Sequence, residues 1–314
     1  MARLLTYFRR FTGRWKTPTG EAWQPALAID AVVNSYERTH DPMYLDVIER
    51  SFRRYRGRRS HYHDDDGWYL NAWLRAYHVT GSAVFLDEAT ALFEEMARAW
   101  DEVCGGGLWW NRDRRYKNAI TNELFLLAAA RLNYLDWATR AWAWFDASGM
   151  INDDHLINDG LDDACANNGG VTWTYNQGVI LSALAELWHI TGDGGYLRRA
   201  EQIADATVTR LVSPDRVLTE PCEPDRCSGN NQVFKGVFVQ GLARLAAADR
   251  EARPGYRAFL AANLDSVWTR ARDLSNGVGL SWAGPVGPVT GATQIAAALL
   301  AGEVALLDSV QNGD

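Results

Sequence analysis

The chain predicts an all-α fold, an (α/α)6 toroid of six helical hairpins, and three observations lead there. Apolar residues recur at helical spacing through about twelve segments, with no competing run of alternating strand pattern. A related phrase opens every second helix: Asp41 to Leu45, Gly81 to Ala89, Tyr134 to Ala138, Gly192 to Ala200 and Tyr256 to Leu260. The connections also alternate. Those at Thr39 to Asp41, Gly81 to Ser82 and Asn133 are short, and those between are long and rich in Gly, Asn, Asp and Trp. All long loops then leave one end of a closed ring, which becomes the expected binding face. An open solenoid of the same hairpins is the alternative.

Along the chain, segments 2–11 and 22–38 form the first pair. Segment 42–55 starts at the first repeat of the phrase. Its partner, 66–79, carries Trp68, Leu70, Trp73, Leu74 and Tyr77 at helical spacing and stops at Thr80-Gly81. Segment 83–101 opens on Phe85-Leu86 and pairs with 117–132, across a glycine-rich loop. Segment 134–147 opens on Tyr134-Leu135, and 173–190 closes at Thr191-Gly192. Segments 195–211 and 230–248, then 254–271 and 290–308, complete the set.

At 314 residues and 47% hydrophobic, the chain can bury a full core without disulfides or metals, and no linker divides it, so one catalytic domain over 1–314 is expected. A net charge of -7 disfavours nucleic acid and anionic membrane as partners, and the basic run Arg53 to Arg59 is too short to reverse that. No transmembrane span is read. Arg9, Arg10 and Arg14 interrupt any signal-peptide core in Met1 to Lys16, so a cytoplasmic location is expected. Cys104, Cys165, Cys222 and Cys227 accordingly read as reduced thiols, although Cys222 and Cys227 are near enough to pair. Their Cys-x4-Cys spacing lacks the second ligand pair of a zinc site.

Chemistry should gather in the long loops. Asp64, Asp65 and Asp66 stand where a helix begins, beside Trp68. One aspartate suffices to cap a helix, whereas three in a row repel. Adjacent carboxylates splayed by about 100° at a helix start can flank a sugar. Their short reach suits the roughly 5 to 5.5 Å of a retaining glycosidase better than the wider gap of an inverting one. Mutual repulsion raises one pKa while the helix terminus keeps the other group ionised, without saying which is which.

Trp109, Trp110 and Asn111 follow a glycine-rich loop and read either as a sugar-stacking wall or as loop anchors. Lys117, Asn118, Asn122 and Glu123 open the next helix, with Asn118 and Asn122 one turn apart on one face. The loop from 148 to 172 holds Asp153, Asp154, Asn158, Asp159, Asp162 and Asp163, which turn chemistry explains and whose spacing does not fit an EF-hand. Trp173, Tyr175, Asn176 and Gln177 then form a second aromatic and amide cluster suited to hydroxyl-rich ligands. Asn230 to Gln232 with Phe234-Lys235-Gly236 repeat the theme.

Several of these stretches, in this order, resemble glycoside hydrolase family 76. They are Asp64-Asp65 with Trp68, Gly-Gly-Leu-Trp-Trp-Asn at 106–111, Tyr116 to Phe125, Ser148 to Asn152, Trp173 to Gly178 and Phe234 to Gly236. The resemblance covers nearly the whole chain. It implies an (α/α)6 fold and retaining endo-hydrolysis of α-1,6-linked mannan or mannooligosaccharides, without cofactor or metal. By the family's order it implies Asp64 as nucleophile and Asp65 as acid/base, with Trp68, Trp109, Trp110, Asn111, Lys117, Asn118, Asn122, Trp173, Tyr175, Asn176 and Gln177 around the substrate. His63 and Tyr69 depart from the aromatics the family often shows there. Transglycosylation of α-mannan on the same scaffold is the runner-up, and a non-catalytic glycan-binding relative a further alternative.

Other classes fit less well. A terpene-forming enzyme would need its aspartates on an inner helical face and a basic cluster for diphosphate. An epimerase or lyase would need inner-helix histidines, and of the six only His61 and His63 lie near the aspartates.

Overall fold

The computed structural model describes residues 1–248 and 254–312. It departs from the expected helices first at the N-terminus. In place of a helix over 2–11 there is a four-residue helix, Ala2–Leu5 (α1), and a two-stranded antiparallel ribbon of Phe8–Arg9 (β1) and Arg14–Trp15 (β2). Trp15 drives the reversal. Its ring is fully buried 4.9 Å from Phe8, and its indole N–H donates to Ser51 Oγ at 3.0 Å, which the chain reaches only by turning back at Gly13.

Eleven helices follow among the described residues: Gln24–Thr39 (α2), Pro42–Tyr55 (α3), His63–Thr80 (α4), Ala83–Ala97 (α5), Ala119–Arg131 (α6), Leu135–Ala147 (α7), Thr174–Thr191 (α8), Gly194–Arg210 (α9), Phe234–Ala248 (α10), Pro254–Arg270 (α11) and Gly291–Asn312 (α12). The even-numbered ones are buried nearly all round. In α6 every residue from Ala119 to Ala130 is buried, the mark of a helix enclosed by protein. Each packs on the next, and α12 packs back on α2, so the six close a ring and the open solenoid is excluded. The odd-numbered helices lie outside and bury one stripe, as α9 does with Ala200, Ile203, Ala204 and Thr207. The sixth outer place, against α12, falls to the short α1. The fold is therefore the expected (α/α)6 toroid with one outer helix cut short.

Glycines set the tightest crossing. A Cβ on Gly178 of α8 would meet the backbone of Phe238 in α10, and one on Gly241 of α10 would meet the Gly178 carbonyl. By length and composition α12 could cross a bilayer over Gly291–Ser309, contrary to the sequence reading, yet 67% of that stretch is buried inside the ring.

The cysteines also correct the sequence reading. All four are oxidised, as Cys104–Cys165 and Cys222–Cys227. The first ties the loop after α5 to the loop before α8. Its partners stand 61 residues apart, and the packing of α6 on α8 brings their loops together.

Candidate active site at the N-terminal ends of the inner helices

Long loops precede the inner helices, so the N-terminal ends of these helices share one end of the ring. Helix α4 starts at His63, three residues earlier than its apolar pattern indicates, with Tyr62 as N-cap and no side-chain cap. The aspartates therefore occupy the first turn rather than the cap, and the 100° step per residue sends them to different partners. Asp66 is buried, accepting from Ser60 N at 2.8 Å and from Arg112 Nη2 at 3.0 Å, so it latches the loop. Asp65 accepts from Ser60 Oγ at 2.8 Å. Asp64 is neighboured by the Trp110 side chain, which favours its charged form, and its Oδ1 is buried without a partner. Burial and the neighbouring Asp65 charge push the Asp64 carboxyl up to about 8, and burial also raises Asp65. The two titrate as a pair that keeps a proton at neutral pH.

Trp110 is placed by backbone pairing. Its carbonyl accepts from His63 N and its N–H donates to Tyr116 O, both at 2.8 Å, and its ring lies 4.6 Å from that of Tyr62. The segment is extended, with Asn111 bridged to Tyr62, so side chains alternate. Trp110 faces Asp64, while Trp109 and Asn111 turn to the other side of the wall.

Most of the expected polar substrate contacts are instead committed to loops. Lys117 is buried, and its Nζ donates to Asp101 Oδ1 at 2.7 Å and to the Val103 and Gly106 carbonyls at 2.6 Å, 4.9 Å from the Trp109 ring. Gly106 and Gly107, at φ 143° and 89°, let that loop close over Trp144. Asn122 clamps Leu108, accepting from its N–H at 2.7 Å and donating to its carbonyl at 3.0 Å. Gln177 does the same to Ile157, at 2.9 Å both ways. Gln294 accepts from Val278 N at 3.2 Å. Asp66, Asn122, Gln177 and Gln294 are each the fourth residue of an inner helix, so one structural device repeats around the ring. Asn111 Oδ1 caps its own turn, accepting from Arg115 N at 3.1 Å. Lys117, Asn122, Gln177 and Asn111 thus hold loops where sugar contacts were expected, because a buried loop must pair its backbone groups.

Trp68 lies deeper than the other candidate rings. It is buried, packed on Trp23 at 5.4 Å and Tyr175 at 6.4 Å, and forms the floor. Tyr175 stacks on Phe234 at 3.9 Å, and Trp173, half-buried, meets the edge of the same ring. Trp23 was missed, and Phe234 was named only as part of a repeated theme. The available signal was position, since Trp23 and Trp173 are both N-caps of inner helices. Asn118 and Asn176 are buried with side-chain atoms unpartnered, so they remain candidate ligand contacts.

Two further acids adjoin this floor. Glu123 is fully buried, with neither oxygen paired, and burial followed by the nearby Asp159 raises it well above the usual range. Asp159 accepts from Tyr116 Oη at 2.7 Å, and burial raises it too.

Against this geometry, the model of glycosyl hydrolase family 76 matches residues 1–312. A putative mannan endo-1,6-α-mannosidase of Schizosaccharomyces pombe is 28% identical over 76% of this chain and 61% of its own length. The mannan endo-1,6-α-mannosidase DCW1 of Saccharomyces cerevisiae is 31% identical over 62% and 47%. The chain thus spans less than two thirds of the length of these relatives. Among solved structures, an α-1,6-mannanase of a Salegentibacter species superposes with a TM-score of 0.85 at 26% identity, covering 98% of this chain and 97% of that one. An inactive variant of it, with two consecutive aspartates changed to asparagine and α-1,6-mannotriose bound, gives 0.82 at 25% over 98% and 97%.

The expected cytoplasmic location is overturned. The DCW1 and DFG5 relatives are cell-wall, extracellular or membrane-anchored enzymes. The two disulfides agree, since such bonds persist in oxidising compartments.

Proposed function

The chain belongs to glycosyl hydrolase family 76, and we propose that it cleaves internal α-1,6-mannosidic bonds of mannan or mannooligosaccharides with retention of configuration. The carrying observation is the adjacent pair Asp64 and Asp65 in the first turn of α4, each with a different kind of partner. Consecutive aspartates are also the residues changed in the inactive, mannotriose-bound relative.

The partners support the division of labour. Asp64 faces the Trp110 indole N–H and the backbone N–H groups of its own helix start, donors that cannot reverse and so favour its carboxylate. Asp65 faces the Ser60 hydroxyl, which can rotate to accept from a protonated acid. At rest the pair carries its proton on Asp64, the more strongly raised carboxyl, and the reactive form is the one with that proton on Asp65, which relieves the repulsion on Asp64. Asp64 then attacks the anomeric carbon, and Asp65 protonates the leaving oxygen and later deprotonates water. Trp110 and Trp173 are the half-buried rings offered to mannose, and Asn118 and Asn176 the unpartnered amides offered to its hydroxyls.

The test combines mutation with product analysis. Asp64→Asn should abolish turnover, and Asp65→Asn should cost about 10² to 10⁴ in rate, less on an aryl mannoside that needs no proton. Proton NMR of the first product from unbranched α-1,6-mannan should show the α-anomer. An initial β-anomer would mean inversion, and products longer than the starting oligosaccharide would replace hydrolysis by transfer.

A further inference from the structure

The wall that carries Trp110 has a second side. There, between the C-terminal end of α5 and residues 109–114, lies a cavity of about 320 Å³. Its volume is at the low end of small-ligand sites, which begin near about 300 Å³. Trp109 lines it with a fixed ring, its Nε1 bonded to Asp101 Oδ2 at 2.6 Å and Lys117 beneath it. Arg98, Arg112 and Arg114 line it as well, against a single carboxylate, Glu95.

That carboxylate is already neutralised by Arg59 at 2.6 Å and Arg112 at 2.8 Å. Arg112 is further committed to Asp66. The other two guanidiniums are not so engaged. Among the described residues Arg98 meets only Glu94, at 3.7 Å with both side chains mostly exposed, a pair that contributes little. Arg114 has no carboxylate within ion-pair distance among the described residues. It sits at φ 56° in a turn held by its own N–H to Asn111 O at 3.0 Å and by the Asn111 side-chain cap. The turn therefore presents an unpaired cation beside an aromatic plate.

We propose that this pocket binds a phosphorylated sugar, so that the enzyme recognises glycans bearing a phosphate ester next to the cleavage site. Guanidinium forks match the geometry of phosphate oxygens, and an indole face suits a sugar ring. Recognition by the enzyme rests on reading the neighbouring Asp64 site as a glycan-cleaving centre.

The test titrates the intact protein with mannose 6-phosphate, mannose and inorganic phosphate, alongside an Arg98→Ala, Arg114→Ala double variant. Both arginines are outside the proposed catalytic machinery. Mannose 6-phosphate should bind saturably and more tightly than either control, and the double variant should weaken it by at least about tenfold, the low end for a charge-assisted contact. Added salt should weaken it further. Absence of saturable binding, or equal affinity in the double variant, overturns the site. Inorganic phosphate binding as tightly as the sugar phosphate overturns its assignment to a glycan. Hydrolysis of neutral α-1,6-mannan should be unchanged in the double variant. If the wild type cleaves no mannan at all, the proposed activity fails while the titration still decides the pocket.

Discussion

The indole of Trp110 faces the carboxylate of Asp64, across the junction between the loop that follows α5 and the first turn of α4, and favours its charged form. That donor supports the charged form of Asp64, against burial and Asp65. Trp110→Phe keeps a ring but removes the donor. It should lower kcat/KM on α-1,6-mannan by about tenfold to a hundredfold, the range of one hydrogen bond to a charged group. The acid limb of the pH–rate profile should move up, because the Asp64 carboxylate has lost a stabilising partner. An unchanged limb and rate would remove Trp110 from the site.

Lys117 is a loop anchor, with its side chain 1% exposed and paired to Asp101. Lys117→Met leaves Asp101 and three loop carbonyls without their cation. Breaking a buried pair of this kind costs about 3 to 5 kcal/mol. Thermal unfolding should show that loss, while KM of the folded enzyme changes little. A large rise in KM at unaltered stability would return Lys117 to the substrate.

Glu123 supplies a pH-dependent stability term. Its folded pKa is raised by burial, so its stabilising contribution is complete below the unfolded value and is lost as pH rises through the folded one. Glu123→Gln removes this titration. Its midpoint should gain on the wild type as pH rises above the ordinary glutamate range. A difference independent of pH would show that Glu123 is paired in solution.

The disulfides should contribute unequally. On the loop-closure estimate, Cys104–Cys165, spanning 61 residues, is worth about 4 kcal/mol, and Cys222–Cys227, spanning 5, about 2. Paired Cys→Ser variants, compared by denaturant unfolding, should fall in that order. A larger loss from the short bridge would contradict it.

The toroid was legible because helical periodicity, the phrase that opens every second helix and the alternation of short and long connections are all local patterns that survive in the chain. The N-terminal segment was not, since a helical run of apolar residues there competes with the burial of Trp15 against Ser51. The polar candidates divided for a related reason. An Asn or Lys at a helix start looks alike whether it faces a ligand or a loop carbonyl, and only the path of the loop 98–118 decides that Lys117 and Asn122 face inward.

The sequence by itself therefore determined the helical pairs, the end of the ring that carries the long loops, and the adjacent aspartates there, because each depends on residues close in the chain. Tertiary structure alone decided that Asp66 latches a loop while Asp64 meets Trp110, and that Cys104 finds Cys165. These pairings depend on how distant loops converge over the ring, where every buried donor and acceptor must find a partner and spacing along the chain carries no record of which one.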